Sequence, residues 1–211
     1  MLGGKGAFEF DETIAHLFDK PKVVDINKLV RPALAGEKEI ENLFVIPTDY
    51  QLSRIIETSL TKINRERILE RALNKLEQDF DVILLDTPPN LSLTTLNAIQ
   101  ASNLLLITVD SGAFSLDGIA PLLEAAEEVL DDFEYRVLRN EVDSRNTIIN
   151  DFIDGELGVI SQNLLKTQIR RCEDVGKANA CSLPVRLFKK GSIVNNDYRA
   201  LATELKSILS I

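Results

Sequence analysis

The chain has 211 residues, a hydrophobic fraction of 45% and a formal net charge of −9. This composition supports a sizeable core, and it argues against a disordered chain and against a protein coated with basic surface. The sequence contains no run of about 18 apolar residues, so no membrane-spanning helix is predicted. The first residues lack the basic and then apolar layout of a signal peptide. We therefore expect a cytoplasmic protein, whose two cysteines are reduced thiols or, alternatively, a metal or redox pair.

Residues 1–40 are expected to form a variable N-terminal region. They contain a predicted short helix at 11–19, a short strand at 23–25 and a loop with a helical turn at 28–34. The sequence Gly-Gly-Lys-Gly at 3–6 invites comparison with a phosphate-binding loop. Such a loop needs a preceding strand and a Ser or Thr after its lysine, whereas Gly6 follows Lys5, so we expect a flexible loop.

A strand is predicted at 42–47, and a long amphipathic helix at 52–78. The next stretch, FDVILLDTPPNLSLTTLNAIQ, carries the most informative pattern. Its apolar residues 82–85 predict a buried strand, and Ser92 is a candidate N-cap for a helix at 93–101. Asp86 follows the strand, at the edge where open α/β sheets bind ligands. This carboxylate is either a turn or cap residue or a metal ligand.

In the second half of the chain, predicted strands alternate with predicted helices. The strands are expected at 104–109, 135–139, 164–169 and 185–188. The helices are expected after Ser115 or Asp117, at 147–155, within 172–180 and at 195–209. This alternation is typical of an α/β fold with a mostly parallel sheet flanked by helices, which we expect to form a single domain over 1–211.

The charge is distributed unevenly along this half. Residues 116–134 contain seven acidic and no basic side chains, whereas residues 166–190 contain seven basic and two acidic ones. Such asymmetry points to a polyanion partner, with solvated surface charge as the alternative. The candidate DNA-binding residues are Arg170, Arg171, Lys189 and Lys190.

The stretch DVILLDTPPNLSLTTLNAIQASNLLLITVDSGAFSLDGI resembles the ParA/Soj branch of the ParA/MinD deviant-Walker ATPases, in which a hydrophobic strand ends in Asp-x-Pro-Pro. Later segments, among them LLKTQIRRCEDVGKANACSLPV, resemble the same family in the same order, so that the family-like core covers 41–211.

This resemblance implies a P-loop NTPase-like fold, ATP and Mg²⁺ as cofactors, and Asp86 as the Walker B carboxylate that holds Mg²⁺ through water. It also implies that Pro88 and Pro89 form a switch-like loop, that Asn140 lies near the base, and that 110–114 faces a partner subunit.

The sequence departs from this family in two places. It has neither the Lys-Gly-Gly-x-Gly-Lys-Thr loop (Walker A) nor the Asp-x-Asp-Pro-Gln motif that orients the attacking water, and so the first βαβ portion of the fold is expected to be missing. The loop and its lysines supply most of the charge stabilisation in phosphoryl transfer. We therefore predict that this polypeptide alone does not hydrolyse ATP.

Three functions follow from the resemblance. The first is plasmid or chromosome partitioning, with non-specific DNA, a centromere-binding ParB-like protein and a possible homodimer as partners. The second is a non-catalytic protein that pairs with an intact relative. The third, a MinD-like positioning protein, requires a basic amphipathic tail. The tail DYRALATELKSILSI has two basic residues balanced by two acidic ones, so no membrane partner is expected.

Overall fold

The computed structural model describes residues 8–58, 64–112 and 114–211. The chain divides into two compact units: Met1–Ser102 with Glu128–Asp131, and Asn103–Glu127 with Asp132–Ile211. The single domain over 1–211 and its variable region up to residue 40 stay predictions. The Gly3–Gly6 sequence lies outside the described residues.

The first unit combines short helices with one β-hairpin. Its helices are α1 (Ile14–Asp19), α2 (Gln51–Thr58), α3 (Ile68–Leu73) and α4 (Leu93–Ala101), and its antiparallel strands are β1 (Arg31–Ala35) and β2 (Lys38–Val45). Its core contains the buried residues Leu17, Phe18, Ile26, Leu29, Ile56, Ile68, Leu69, Ala72 and Leu93. The predicted helix at 93–101 is confirmed.

Several sequence-based predictions for this unit are wrong. The predicted loop at 28–34 contains most of β1, because Gly36 adopts a φ of +68° and turns the chain back into β2. The segment 23–25 forms no strand. The helix predicted at 52–78 is not continuous: the described helices within this range are Gln51–Thr58 and Ile68–Leu73, and Asn64 (φ +53°) precedes a 3₁₀ turn at Arg65–Arg67. A left-handed residue cannot continue a right-handed helix.

The buried strand predicted at 82–85 is also wrong. Residues 82–88 have no regular secondary structure, and no described strand pairs with them. Val82 and Ile83 are each 46% exposed and Leu84 is 85% exposed, whereas Leu85 packs against the core of the first unit. A strand is stabilised by its neighbours, so apolar composition alone did not create one here.

The second unit is built on a parallel sheet with strand order β3 (Leu104–Val109), β4 (Glu134–Val142) and β5 (Leu164–Arg170). Its helices are α5 (Phe114–Asp117), α6 (Ile119–Val129), α7 (Thr147–Leu157), α8 (Glu173–Ala180), α9 (Val185–Phe188) and α10 (Val194–Leu209). The α/β fold and the three predicted strands are confirmed. The strand predicted at 185–188 is wrong, because the N–H groups of Leu187 and Phe188 donate to the Pro184 carbonyl and form the helical turn α9.

The two faces of this sheet contribute to two cores. Ile107, Val109 and Val137 pack with residues of α6 and α7, whereas Leu138, Leu165 and Ile169 pack with Leu201 of α10. Neighbouring strand residues such as Val137 and Leu138 therefore point to opposite faces, as the pleat requires.

Candidate nucleotide and DNA sites

Asp86 lies in an exposed loop between the apolar segment 82–85 and α4. Pro88 and Pro89 are exposed as well. The loop is held from its far end, where the Asn90 N–H donates to the Pro88 carbonyl (2.8 Å) and the Thr95 hydroxyl donates to the Asn90 carbonyl (2.6 Å). The loop is therefore fixed to the first turns of α4, while the Asp86 side chain remains open to solvent.

The start of α4 was predicted at the right residue but for an incomplete reason. Ser92 occupies the N-cap position, yet its side chain makes no capping hydrogen bond to the backbone. Its hydroxyl instead lies 2.6 Å from the Thr94 hydroxyl. The local anchor of the helix start is therefore Thr95, which sequence reasoning did not single out.

A buried amide fixes α4 to the preceding helices. Asn97 is fully buried, accepts a hydrogen bond from the Leu69 N–H (3.0 Å), and donates to the carbonyls of Arg65 (2.8 Å) and Leu93 (2.9 Å). A buried amide with its bonds satisfied fixes one geometry, because each bond lost would leave an unpaired polar group. Sequence analysis did not single out this residue, whose role became visible only in three dimensions.

The carboxylate of Asp86 fits the donor chemistry of a Mg²⁺ site. Mg²⁺ commonly binds through one or two carboxylates together with water and phosphate oxygens, and an exposed carboxylate can supply such a ligand. No group of three His, Cys, Asp or Glu side chains within 8–58, 64–112 and 114–211 is arranged to hold a metal ion.

Asn140 lies in the second unit, near the carboxyl end of β4. At this end, the Ser111 hydroxyl donates to the Glu141 carbonyl (3.1 Å) and connects β4 to the turn after β3. In that turn, Gly112 donates its N–H to the Asp110 carboxylate (2.8 Å), and a Cβ at Gly112 would lie 3.0 Å from the same oxygen atom. Asn140 is half-buried in the strand, so the predicted base contact stays a prediction. Part of the predicted partner-facing stretch 110–114 lies outside the described residues.

The loop after β4 is ordered by an ion pair. The Arg145 guanidinium donates to both carboxylate oxygens of Asp143 (2.9 and 2.7 Å), and these bonds hold the pKa of Asp143 well below its usual range. The Asn150 amide donates to the Asp143 carbonyl (3.0 Å) and attaches this loop to α7. The loop beside Asn140 therefore has a defined backbone.

The four candidate DNA-binding residues lie in two segments that the structure connects. Arg170 ends β5 and pairs with Asp197 of α10 (2.6 Å), while Lys189 follows α9 and pairs with Asp174 of α8 (3.0 Å). Asp174 also accepts a hydrogen bond from the Ser192 hydroxyl (2.7 Å). The contacts of Ser192 first, and then of Lys189, lower the pKa of the Asp174 carboxyl.

These ion pairs divide the four residues into two kinds. All four side chains are exposed, but the charges of Arg170 and Lys189 are compensated by buried or half-buried carboxylates, whereas Arg171 and Lys190 form no ion pair with any described residue. The Asn195 amide donates to the carbonyls of Lys189 and Lys190 (2.9 and 3.1 Å), so the loop that carries Lys190 is attached to α10. The sequence pattern predicted the cluster but not this division.

Comparison with known proteins identifies the family. The model of a family described as "AAA domain" matches residues 4–139. The Bacillus subtilis sporulation initiation inhibitor protein Soj is 30% identical over 194 residues, which cover 90% of this chain and 74% of Soj. The chain belongs to the ParA/Soj partition ATPase family. The predicted family is thus confirmed, and the comparisons leave the predicted absence of the Walker A segment untested.

Two solved structures share the fold. A putative plasmid partition protein from Borrelia burgdorferi B31 bound to AMPPNP has a TM-score of 0.68 at 16% identity and covers 90% of this chain and 75% of its own. Cobyrinic acid a,c-diamide synthase from Mycobacterium smegmatis with an ATP analogue and magnesium has a TM-score of 0.65 at 21% identity, with coverages of 86% and 75%. These two titles name different activities, so the fold alone does not select the reaction.

Among the described residues, no helix combines the length and the apolar character needed to cross a membrane.

Proposed function

We propose that this ParA/Soj family member acts in DNA segregation and contacts DNA phosphates through the basic surface at the carboxyl end of β5. The observation that supports this proposal is the local arrangement of Arg170, Arg171, Lys189 and Lys190. Two of these exposed cations secure the surface through ion pairs, and the other two form no ion pair with a described residue. Exposed Arg and Lys side chains bind the DNA backbone without reading its sequence.

The proposal assigns different tasks to the paired and the exposed cations. Arg170 attaches β5 to α10, and Lys189 attaches the loop around residue 190 to α8, so that their main contribution is to the shape of the surface. Arg171 and Lys190 form no ion pair with a described residue, and they supply charge to the phosphates. A chain with a net charge of −9 needs such a local basic surface to approach DNA.

The same proposal includes a nucleotide site at the loop of Asp86, Pro88 and Pro89, with Mg²⁺ held by Asp86. ATP would bind there without being hydrolysed by this polypeptide alone, because its sequence has no Lys-Thr phosphate loop. A ParB-like centromere-binding protein and a second copy are the proposed partners. The family relationship supports these assignments.

The DNA contact can be tested by measuring the affinity for a random-sequence duplex over a range of salt concentrations. We expect Arg171→Ala/Lys190→Ala to weaken binding and to reduce the slope of log affinity against log salt by roughly two, about one per lost phosphate contact. The control Lys22→Ala/Lys38→Ala removes two exposed lysines of the first unit and should keep the slope. An equal loss in both double variants, or an affinity independent of salt, would contradict the proposed surface.

The nucleotide site can be tested by thermal unfolding with Mg²⁺ and AMPPNP. Binding to the folded state raises the melting temperature, and Asp86→Ala should remove most of that rise. No rise in the unmodified protein would instead support a non-catalytic protein that acts through protein contacts. Steady ATP turnover above background that disappears in Asp86→Ala would contradict the predicted lack of hydrolysis.

A further inference from the structure

Helix α7 exposes apolar side chains that the core of its own unit does not use. Its inward residues Ile153 and Leu157 are 0% and 1% exposed and pack with buried residues of β3 and β4. On its outward side, Ile148 is 83% exposed and Phe152 is 53% exposed. The contact of α7 with the core is therefore complete without these two side chains, which form additional apolar surface.

The outward positions repeat with the spacing of a coiled-coil contact. Four of them follow one another at intervals of four, three and four residues, as the a and d positions of a heptad do: Ile148, Phe152, Gly155 and Val159. Val159 lies in the 3₁₀ turn Gly158–Asn163 directly after α7 and is 88% exposed. A Cβ at Gly155 would meet nothing within 4 Å, so a side chain of another helix has room there. We call these four positions the α7 seam.

Carboxylates occupy the positions on both sides of the α7 seam. In the same heptad, Asp151 stands at a g position and Glu156 at an e position. Both side chains are exposed and form no ion pair with any described residue. The sequence of α7 contains a third carboxylate, Asp154, and no basic residue. Charges at e and g positions determine which helix can pair, so the α7 seam favours a helix with Lys or Arg beside its own apolar stripe.

The same charges argue against a second copy and against a membrane as the occupant. Two α7 helices packed seam to seam would bring Asp151 and Glu156 of each copy close to carboxylates of the other, and contacts between like charges are destabilising. Helices that lie on membranes usually carry Lys and Arg on their polar face, where these residues attract anionic lipids. The acidic polar face of α7 would be repelled by such a surface.

We propose that α7 docks an amphipathic helix of a different protein, whose apolar stripe packs on the α7 seam and whose basic side chains pair with Asp151 and Glu156. Phe152 is the expected anchor, because aromatic side chains near the centre of an interface carry a large share of its binding energy. α7 contains none of the residues assigned to nucleotide or DNA, so this inference goes beyond the proposed function and does not depend on it.

The test uses two fluorescent peptides designed as amphipathic helices, one with lysines and one with glutamates beside the same leucine stripe. Titration with the full unmodified chain, followed by fluorescence anisotropy, should show at least about tenfold tighter binding of the lysine peptide. Phe152→Ser should weaken this binding by at least about tenfold. The control Leu187→Ser removes an apolar side chain of similar exposure (49%) and should leave the affinity unchanged.

A charge exchange separates docking at α7 from general attraction to an acidic protein. Asp151→Lys/Glu156→Lys should reverse the preference, so that the glutamate peptide binds more tightly than the lysine peptide. The matched control Glu127→Lys/Glu128→Lys changes the charge by the same amount at exposed positions of α6 and should keep the preference for the lysine peptide. Circular dichroism checks that all four variants are folded.

Hydrogen exchange locates the contact. With the lysine peptide bound, the amides of 147–157 should become more protected, whereas those of 194–209 should not change. The proposal is overturned if the lysine peptide does not bind, if Phe152→Ser binds it as tightly as Leu187→Ser does, or if both charge exchanges have the same effect. It is equally overturned if Phe152→Ser abolishes self-association of the protein or its binding to phosphatidylglycerol vesicles, since a second copy or a membrane would then cover the α7 seam.

Discussion

At β5, two carboxylates of α10 bond to the edge backbone, whereas at β3 the described residues leave the edge backbone without a partner. Both strands are apolar enough to lie inside a sheet, so their sequences do not show which edge is protected. The difference comes from Asp197 and Glu204, which lie 27 to 38 residues after the backbone groups that they bind. An edge strand is therefore best judged together with the helix that packs beside it.

The largest effect is expected from Asp197→Ala at the closed edge. Asp197 is 9% exposed and accepts hydrogen bonds from both the guanidinium and the backbone N–H of Arg170. Its removal leaves these donors without an acceptor, and we expect a loss of about 2 kcal/mol in the free energy of unfolding. This loss is small for the removal of one partner of a buried ion pair, because the Arg170 side chain is 47% exposed and can be solvated. Urea unfolding measures this free energy. The control Asp197→Asn keeps one acceptor oxygen and should lose less stability. Equal stabilities of the unmodified protein and Asp197→Ala would show that the contact contributes nothing.

Glu204→Ala should have a smaller effect and open the edge of β5 locally. The variant loses two charge-assisted hydrogen bonds to exposed backbone, so we expect a loss of about 1 kcal/mol in the free energy of unfolding. The amides of Lys166 and Thr167 should exchange hydrogen faster, while those of β3 should not change. Glu204→Gln keeps one acceptor oxygen and serves as the control. Unchanged exchange at both amides would mean that Glu204 does not protect this edge.

Acid should weaken the contact between Asp197 and Arg170 at the closed edge of β5. The hydrogen bonds from Arg170 lower the pKa of Asp197 despite its burial. Because the folded-state pKa is depressed, the stabilisation is fully present above the unfolded value of about 3.9 and is lost as pH falls through the folded pKa. The difference in free energy of unfolding between the unmodified protein and Asp197→Asn should therefore be constant near neutral pH and narrow below about pH 4. A difference that persists unchanged into strong acid would contradict this linkage.

The smallest effect is expected from Arg139→Met in β4, between the two edges. Arg139 is 1% exposed and bonds to Asp154 and Asn150, but its buried Nε has no partner among the described residues. Asp154 is 51% exposed, so it can return to water when the cation is removed. Replacing a buried ion pair by an apolar side chain of similar volume is often neutral, and we expect a change within about 1 kcal/mol in the free energy of unfolding. Arg139→Ala, which leaves a cavity, should be clearly less stable in the same urea experiment.

Much of the second unit could be predicted from sequence. The run at 104–109 forms a strand with the expected bounds, and the helix spacing at 195–209 identified α10 to within one residue. These segments could be predicted because the apolar pattern that identifies each of them lies within one helix or one strand. The family was likewise recognisable, because the Asp-Thr-Pro-Pro stretch and the later segments keep a fixed order along the chain.

The errors occur where neighbours decide the structure. The run at 82–85 has the composition of a strand but no described strand partner. The helical periodicity of 52–78 gave no sign that Asn64 adopts a left-handed backbone conformation. The segment at 185–188 has the composition of a short strand, yet the Pro184 carbonyl accepts the N–H groups that make it a helical turn. In each case the outcome depends on a neighbouring strand, a contact or a backbone angle that the pattern does not encode.

The sequence by itself determined the α/β class, the family, the loop of Asp86 and the four basic residues near the end of β5, because each depends on residue types in a fixed order. Only the tertiary structure decided which of those cations are neutralised by Asp174 and Asp197, and which sheet edge is closed. The physical reason is that ion pairs and edge hydrogen bonds join residues far apart in the chain, and their free energy depends on distance and burial, which the order of residues does not specify.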